Sequence, residues 1–193
     1  MIGVKAFKTG SGELTNLPFI DYLAKIGKPV ILSTGMSYPN EIEESVKILK
    51  KYKTPFSVMH CISAYPCPYE IMNLELIKEY ISSFEVKVGL SDHTIGIYTS
   101  LGAIALGASI IEKHFSLDRT QAGPDHLSSI EPEDLKKLVI GSKAVWQALG
   151  KERIIHKEEK EIVAWARESV VTLCDIKKGS VIDNSMIAIK RPS

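Results

Sequence analysis

The chain has 193 residues, enough for one large domain or a domain and a half. Hydrophobic residues make up 45% and charged residues 24%, a balance that can bury a sizeable core, and a formal net charge of +1 gives no global electrostatic case for a nucleic-acid or membrane partner. No apolar run approaches the ~20 residues that span a bilayer, and the amino terminus lacks a charged-then-apolar signal pattern, so the expected location is the cytoplasm.

In chain order, residues 2–8 read as an extended run that ends in the glycine-rich turn Thr9-Gly10-Ser11-Gly12-Glu13. A helix is expected over residues 17–26, stopped by Gly27-Lys28-Pro29. Residues 29–32 form the next buried strand and run into Ser33-Thr34-Gly35-Met36. Residues 39–52 read as an amphipathic helix with Ile42, Val46 and Leu49 on one face and Asn40-Glu41 near its start. A strand over 56–61 enters the loop from Ile62 to Pro68, which prolines stiffen. Then come a helix over 74–84, a strand over 86–90, a helix over 97–106 and a β-branched run over 109–115.

Strand, polar loop and helix repeat in a regular beat, which argues for a parallel α/β sheet with helices outside it. The strand exits carry Lys8 and Ser11, Ser33 and Thr34, His60 and Ser63, Ser91 and His93, Glu112 and His114. In a parallel barrel or open sheet these exits share one rim, where such folds place their sites. A right-handed crossover puts His93 and His114 on neighbouring strands about 5 Å apart, within reach of one metal ion. Two unrelated histidines near strand ends are the competing reading. Glu112 and His114, two apart on a strand, point to the same side.

After residue 117 a long polar loop leads to a strong helix over 131–149 with Pro132 in its first turn. Residues 151–160 are charge-rich, and from Ser169 a small β region begins. Cys61, Cys67 and Cys174 are odd in number and lack zinc-site spacing; Cys61 and Cys174 are expected to be small core residues.

Six ordered stretches resemble the sialic acid synthase family, the N-acetylneuraminate and nonulosonic acid synthases. They are Ala6-Phe7-Lys8-Thr9-Gly10-Ser11-Gly12-Glu13, Ile31-Leu32-Ser33-Thr34-Gly35-Met36, His60-Cys61-Ile62-Ser63-Ala64-Tyr65-Pro66, Gly89-Leu90-Ser91-Asp92-His93-Thr94, Ile111-Glu112-Lys113-His114-Phe115 and Gly123-Pro124-Asp125-His126. The resemblance implies a (β/α)8 barrel followed by a small antifreeze-like, or SAF, domain. The expected fold class is therefore α/β: a partial (β/α)8 TIM barrel, strands four to eight, in residues 1–150, a linker over 151–166, and a truncated SAF-like β segment over 167–193. A complete barrel takes about 250 residues, so the chain reads as an internal fragment.

The implied reaction condenses phosphoenolpyruvate with the open-chain aldehyde of an N-acetylmannosamine-type sugar, adds water and releases phosphate, making the enzyme a carbon–carbon bond-forming transferase. By the resemblance His93 and His114 hold a divalent ion, Mn2+ in the family with Mg2+ as an alternative, while the two imidazoles alone fit several first-row metals. Glu112 is the implied catalytic group that orients or deprotonates water, with a structural carboxylate as its alternative. Lys8, Ser11, Ser33 and Ser91 resemble a phosphoenolpyruvate cradle, where an ammonium and short hydroxyls meet a trianion. Turn capping competes for Ser33 and Ser91. Tyr65 and Asp125 resemble sugar-binding positions, against loop packing and helix capping, and Glu13 has a sugar-contact or network role. His60 is expected to be structural, and His126 and His156 to lie on the surface.

Ser63 stands where some family members carry Asn, which shortens a phosphate or sugar donor, and Thr9 stands where relatives often have Ile. The family's early-strand Glu and Lys have no counterpart, so the fragment alone is expected to have little or no activity. The full-length protein is expected to be a homodimer. Legionaminic- or pseudaminic-type acid synthesis, or a non-catalytic half-barrel that binds metal or a partner chain, are the alternatives.

Overall fold

The computed structural model describes residues 3–192; Met1, Ile2 and Ser193, and with Ile2 the start of the strand expected over residues 2–8, lie outside them. The chain divides into two compact units, Met1–Leu149 and Gly150–Ser193.

The first unit alternates strands and helices: β1 (Phe7–Thr9), α1 (Leu17–Ile26), β2 (Val30–Ser33), α2 (Pro39–Lys51), β3 (Phe56–Cys61), α3 (Leu76–Phe84), β4 (Val88–Asp92), α4 (Tyr98–Ala105), β5 (Ile110–Lys113) and α5 (Pro132–Ala148). The five strands pair in parallel in chain order, as strand–helix–strand crossovers require. Local chemistry sets the helix ends. Asn16 Oδ1 accepts from the Phe19 amide at the start of α1, and Gly27, at φ 75°, closes it.

Successive side chains alternate between the two faces of the sheet. Val30, Leu32 and Val58 pack against Ile20, Leu23, Ile42, Val46 and Leu49 of α1 and α2. Val88 and Leu90 pack against Ile77 and Ala103 of α3 and α4. Each fully buried aliphatic side chain contributes roughly 1.5–3 kcal/mol, so this outer layer holds the unit together. The other face carries Lys8, Ser33, Cys61, Ser91 and Glu112. A flat five-stranded sheet would separate its edge strands by roughly 19 Å at about 4.8 Å per strand. Lys8 on β1 nevertheless reaches Glu112 on β5, so the sheet curls around that inner face as half a barrel.

β1 begins at Phe7, later than the sequence suggests, because its partner β2 begins opposite it at Val30 and residues 3–6 face no strand. β4 extends to Asp92, beyond the expected Leu90, because Ser91 and Asp92 pair with Glu112 and Lys113.

The second unit contains α6 (Lys160–Ala166) and the antiparallel pair β6 (Ser169–Thr172) and β7 (Ile187–Lys190). Cys174, expected in a core, is exposed; a two-stranded ribbon offers little apolar cover. No helix among the described residues is long and apolar enough to cross a membrane.

Candidate active site

The carboxyl ends of β1 to β5 bring most of the expected residues onto one concave rim. Lys8 Nζ lies 3.0 Å from Glu112 Oε1, and the Ser91 hydroxyl donates to the same oxygen at 2.8 Å. Burial pushes the Glu112 carboxyl up, but the hydrogen bonds from Lys8 and Ser91 and the Lys8 charge outweigh it and hold it below its ordinary value. Glu112 is thus an ionised carboxylate with two donors fixed on one oxygen.

Beside it, Ser11 Oγ and Ser33 Oγ are 3.0 Å apart, and the Gly35 amide donates to Ser11 Oγ at 3.1 Å. Ser63 Oγ and Ser11 Oγ flank the Cys61 sulfur at 3.8 and 3.5 Å. A Cβ on Gly35 would sit 2.3 Å from Ser63 Oγ and 2.7 Å from Ser11 Oγ. The missing side chain is therefore what lets the hydroxyls converge. With Lys8 on the same face of the sheet, these hydroxyls form a donor-rich cluster whose chemistry suits an anion.

His93 directly follows β4 and His114 directly follows β5, and their ring centroids are 5.3 Å apart. His93 is buried, with Nδ1 2.8 Å from the Ile62 carbonyl oxygen. A carbonyl only accepts, so Nδ1 carries a proton, and in the neutral imidazole Nε2 keeps its lone pair. That is the arrangement of a ligating histidine, in which a hydrogen bond at one nitrogen fixes the other. Two imidazoles bound at about 2.1 Å to one ion at a right or tetrahedral angle have centroids roughly 5 Å apart, so the pair fits a shared divalent cation. Among the described residues no group of three or more His, Cys, Asp or Glu side chains is placed to hold a metal. The two imidazoles are thus the side chains this face offers to such an ion.

Burial, and then the neighbouring His93, lower the affinity of His114 for a proton, which favours the neutral imidazole. At His93 burial acts in the same direction, but the Cys61 sulfur and the Ile62 carbonyl reverse it and the net shift is upward. Burial raises the Cys61 thiol, yet His93 and Ser11 bring it down to about 7. Tyr65 roofs both rings, 4.1 Å from His93 and 5.6 Å from His114 by centroid.

Two expected residues stand at the margin. Asp125 Oδ2 is 3.9 Å from His114 Nδ1 and mostly exposed. Glu13 lies on the turn after β1 and accepts from the Asn16 side-chain amide at 2.9 Å. His60 faces the helix layer, buried, with Nε2 donating to the Met72 carbonyl at 2.6 Å, in keeping with a structural role. Cys61 is buried as expected, but on the inner face among site residues instead of in the apolar core. Its place two residues before Ser63 is the signal that marks it. Asp92 and Lys113, which sequence reasoning passed over, form a buried ion pair at 3.2 Å behind the two histidines.

The NeuB family model matches residues 1–154. The chain is 41% identical over 196 residues to N,N'-diacetyllegionaminic acid synthase of Campylobacter jejuni, covering 100% of this chain and 59% of that protein. It is 35% identical over 191 residues to human N-acetylneuraminate-9-phosphate synthase, covering 98% and 53%. The crystal structure of an N-acetylneuraminic acid synthetase from Leptospira borgpetersenii superposes with a TM-score of 0.78 at 40% identity, covering 84% of this chain and 57% of that one. The chain thus spans between 53% and 59% of the length of these proteins. With that match over most of its length, the chain belongs to the NeuB family, the family of sialic acid synthases.

Proposed function

We propose that this chain carries the metal- and phosphate-binding part of a centre that condenses phosphoenolpyruvate with an N-acetylmannosamine-type sugar. The observation that carries the reading is the convergence of Lys8, Glu112, the serine pocket and two facing imidazoles on one concave rim. Lys8 and the hydroxyls of Ser11, Ser33 and Ser63 bind the phosphate and carboxylate of phosphoenolpyruvate. His93 and His114 hold the divalent cation, Mn2+ in this proposal, and Tyr65 and Asp125 meet the incoming sugar. When bound, that cation supplies Lewis-acid polarisation of the sugar's aldehyde oxygen. The methylene carbon of phosphoenolpyruvate bonds to the aldehyde carbon, whose oxygen takes up a proton to become a hydroxyl; water adds to the phosphate-bearing carbon, and phosphate leaves as that carbon becomes a ketone. Glu112, kept ionised by Lys8 and Ser91, takes a proton from that water.

A legionaminic-type acid is the second reading, supported by the 41% identity to the Campylobacter enzyme. We further assign residues 167–193 to the beginning of a SAF domain, and place the whole protein in the cytoplasm as a homodimer.

Calorimetric titration of the chain with Mn2+ and with phosphoenolpyruvate tests the reading. His93→Ala and His114→Ala are each expected to weaken Mn2+ at least tenfold, and Lys8→Met to weaken phosphoenolpyruvate. Undiminished Mn2+ binding after loss of both histidines overturns the assignment. Sugar-acid formation by the 193-residue chain alone is expected to be slight, because the half-barrel walls the pocket on one side; robust turnover overturns that expectation.

A further inference from the structure

We infer that Asp92 and Lys113 are positioning residues that set the spacing between His93 and His114. The inference rests on the metal reading of those histidines and deepens it.

Asp92 is the last residue of β4, Lys113 is the last of β5, and the two are register partners. Each is followed in sequence by one of the two histidines. Because side chains alternate, the histidines face the concave site while Asp92 and Lys113 face the helix layer behind it. Lys113 Nζ lies 3.2 Å from Asp92 Oδ2 and also donates to the Thr94 carbonyl oxygen. Those two anchors are the residues on either side of His93. One ammonium, placed next to His114, thus grips the chain both before and after His93.

The other end of the lock is equally constrained. The Asp92 carboxylate accepts from the Thr94 amide and hydroxyl, both at 2.8 Å, from the Thr99 hydroxyl at 2.7 Å and from the Ser100 hydroxyl at 2.6 Å. Thr99 and Ser100 belong to α4, so the exit of β4 is tied to its own crossover helix as well as to β5. The two side chains of the pair are 0% and 3% exposed. Water cannot replace a lost partner there, and sliding one strand exit past the other breaks both Lys113 contacts together. A buried ion pair adds little net stability over a well-packed apolar pair. What this one supplies is geometry: two ligands must be held to within about 0.5 Å to share one ion.

The double variant Asp92→Asn with Lys113→Met removes both charges and leaves neither partner buried alone, so it carries the test. Lys113→Arg is the second variant; it keeps the charge and changes the reach of the donor. The first readout uses no metal: ring-to-ring nuclear Overhauser effects between isotope-labelled His93 and His114, with the amide spectrum of β1 to β3 as the control for folding. The second is titration with Co2+ alone, followed by its visible absorption. Both variants are expected to weaken or lose the inter-ring effects and to change the Co2+ spectrum, and the double variant to bind Co2+ about tenfold to a hundredfold more weakly. Folded variants with wild-type inter-ring effects and wild-type Co2+ binding overturn the inference. Wild-type chain that shows the inter-ring effects, loses them in the variants and binds no Co2+ through His93 and His114 overturns the metal reading while leaving the spacing role standing.

Discussion

Lys8 and Glu112 lie on the first and last strands of the sheet, and their side chains meet at 3.0 Å across its concave face. The pair is 35% and 41% exposed, so solvent screens it and its worth to stability is roughly 0–1 kcal/mol. Lys8→Met is therefore expected to leave the urea unfolding midpoint nearly unchanged while weakening phosphoenolpyruvate roughly tenfold, as loss of one charge-assisted contact would. A variant that unfolds readily yet binds as wild type would assign the pair to the fold instead.

Gly35→Ala acts on the pocket and much less on the core. Its Cβ would meet Ser63 Oγ, Ser11 Oγ and the Cys61 sulfur, all side-chain ends that can turn aside. The expected cost is at the low end of the roughly 1–3 kcal/mol range for overpacking, with anion binding lost because the hydroxyls no longer converge. Calorimetry with phosphoenolpyruvate and urea denaturation, run on the same sample, separate the two effects.

Gly89→Ala has the opposite profile. Here the added carbon would meet the Ile110 carbonyl oxygen at 2.7 Å and Met59 Sδ at 2.4 Å, and a backbone oxygen cannot rotate away. Since Gly89 and Ile110 are register partners of β4 and β5, the strand pair must separate. Destabilisation of about 3 kcal/mol or more is expected, read from the urea midpoint, and an unchanged midpoint would contradict the register.

Acid sensitivity follows from Asp92. Burial pushes its carboxyl up, but the Lys113 charge and the donors Ser100, Thr99 and Thr94 hold it below its ordinary value. A lowered carboxyl in the folded state stabilises the fold fully above the unfolded carboxylate value of about 3.9. That contribution disappears as pH falls through the lower folded value. In metal-free chain followed by circular dichroism, wild type is expected to lose stability below about pH 4 more steeply than Asp92→Asn. Parallel curves for the two proteins would remove Asp92 from the acid transition.

Periodicity made the strand–helix alternation legible, since apolar residues two apart at Val30 and Leu32 and four or three apart at Ile42, Val46 and Leu49 each require a buried face. The strand exits were legible for the same reason, because polar residues crowd where an apolar run stops. Strand ends were less so: β1 starts where β2 offers a partner, which no local signal at residues 3–6 announces. Cys174 misled because an apolar neighbourhood in sequence does not supply a second layer in space.

By itself the sequence determined the strand–helix alternation and the polar strand exits, which follow from short-range periodicity, and it put His93 and His114 on neighbouring strands only given a right-handed crossover. Only the tertiary structure decided the curl that brings Lys8 to Glu112, the inward placement of Cys61 and the Asp92–Lys113 lock. Those depend on register between strands and on which side chains lose water together, and neither property is local in the chain.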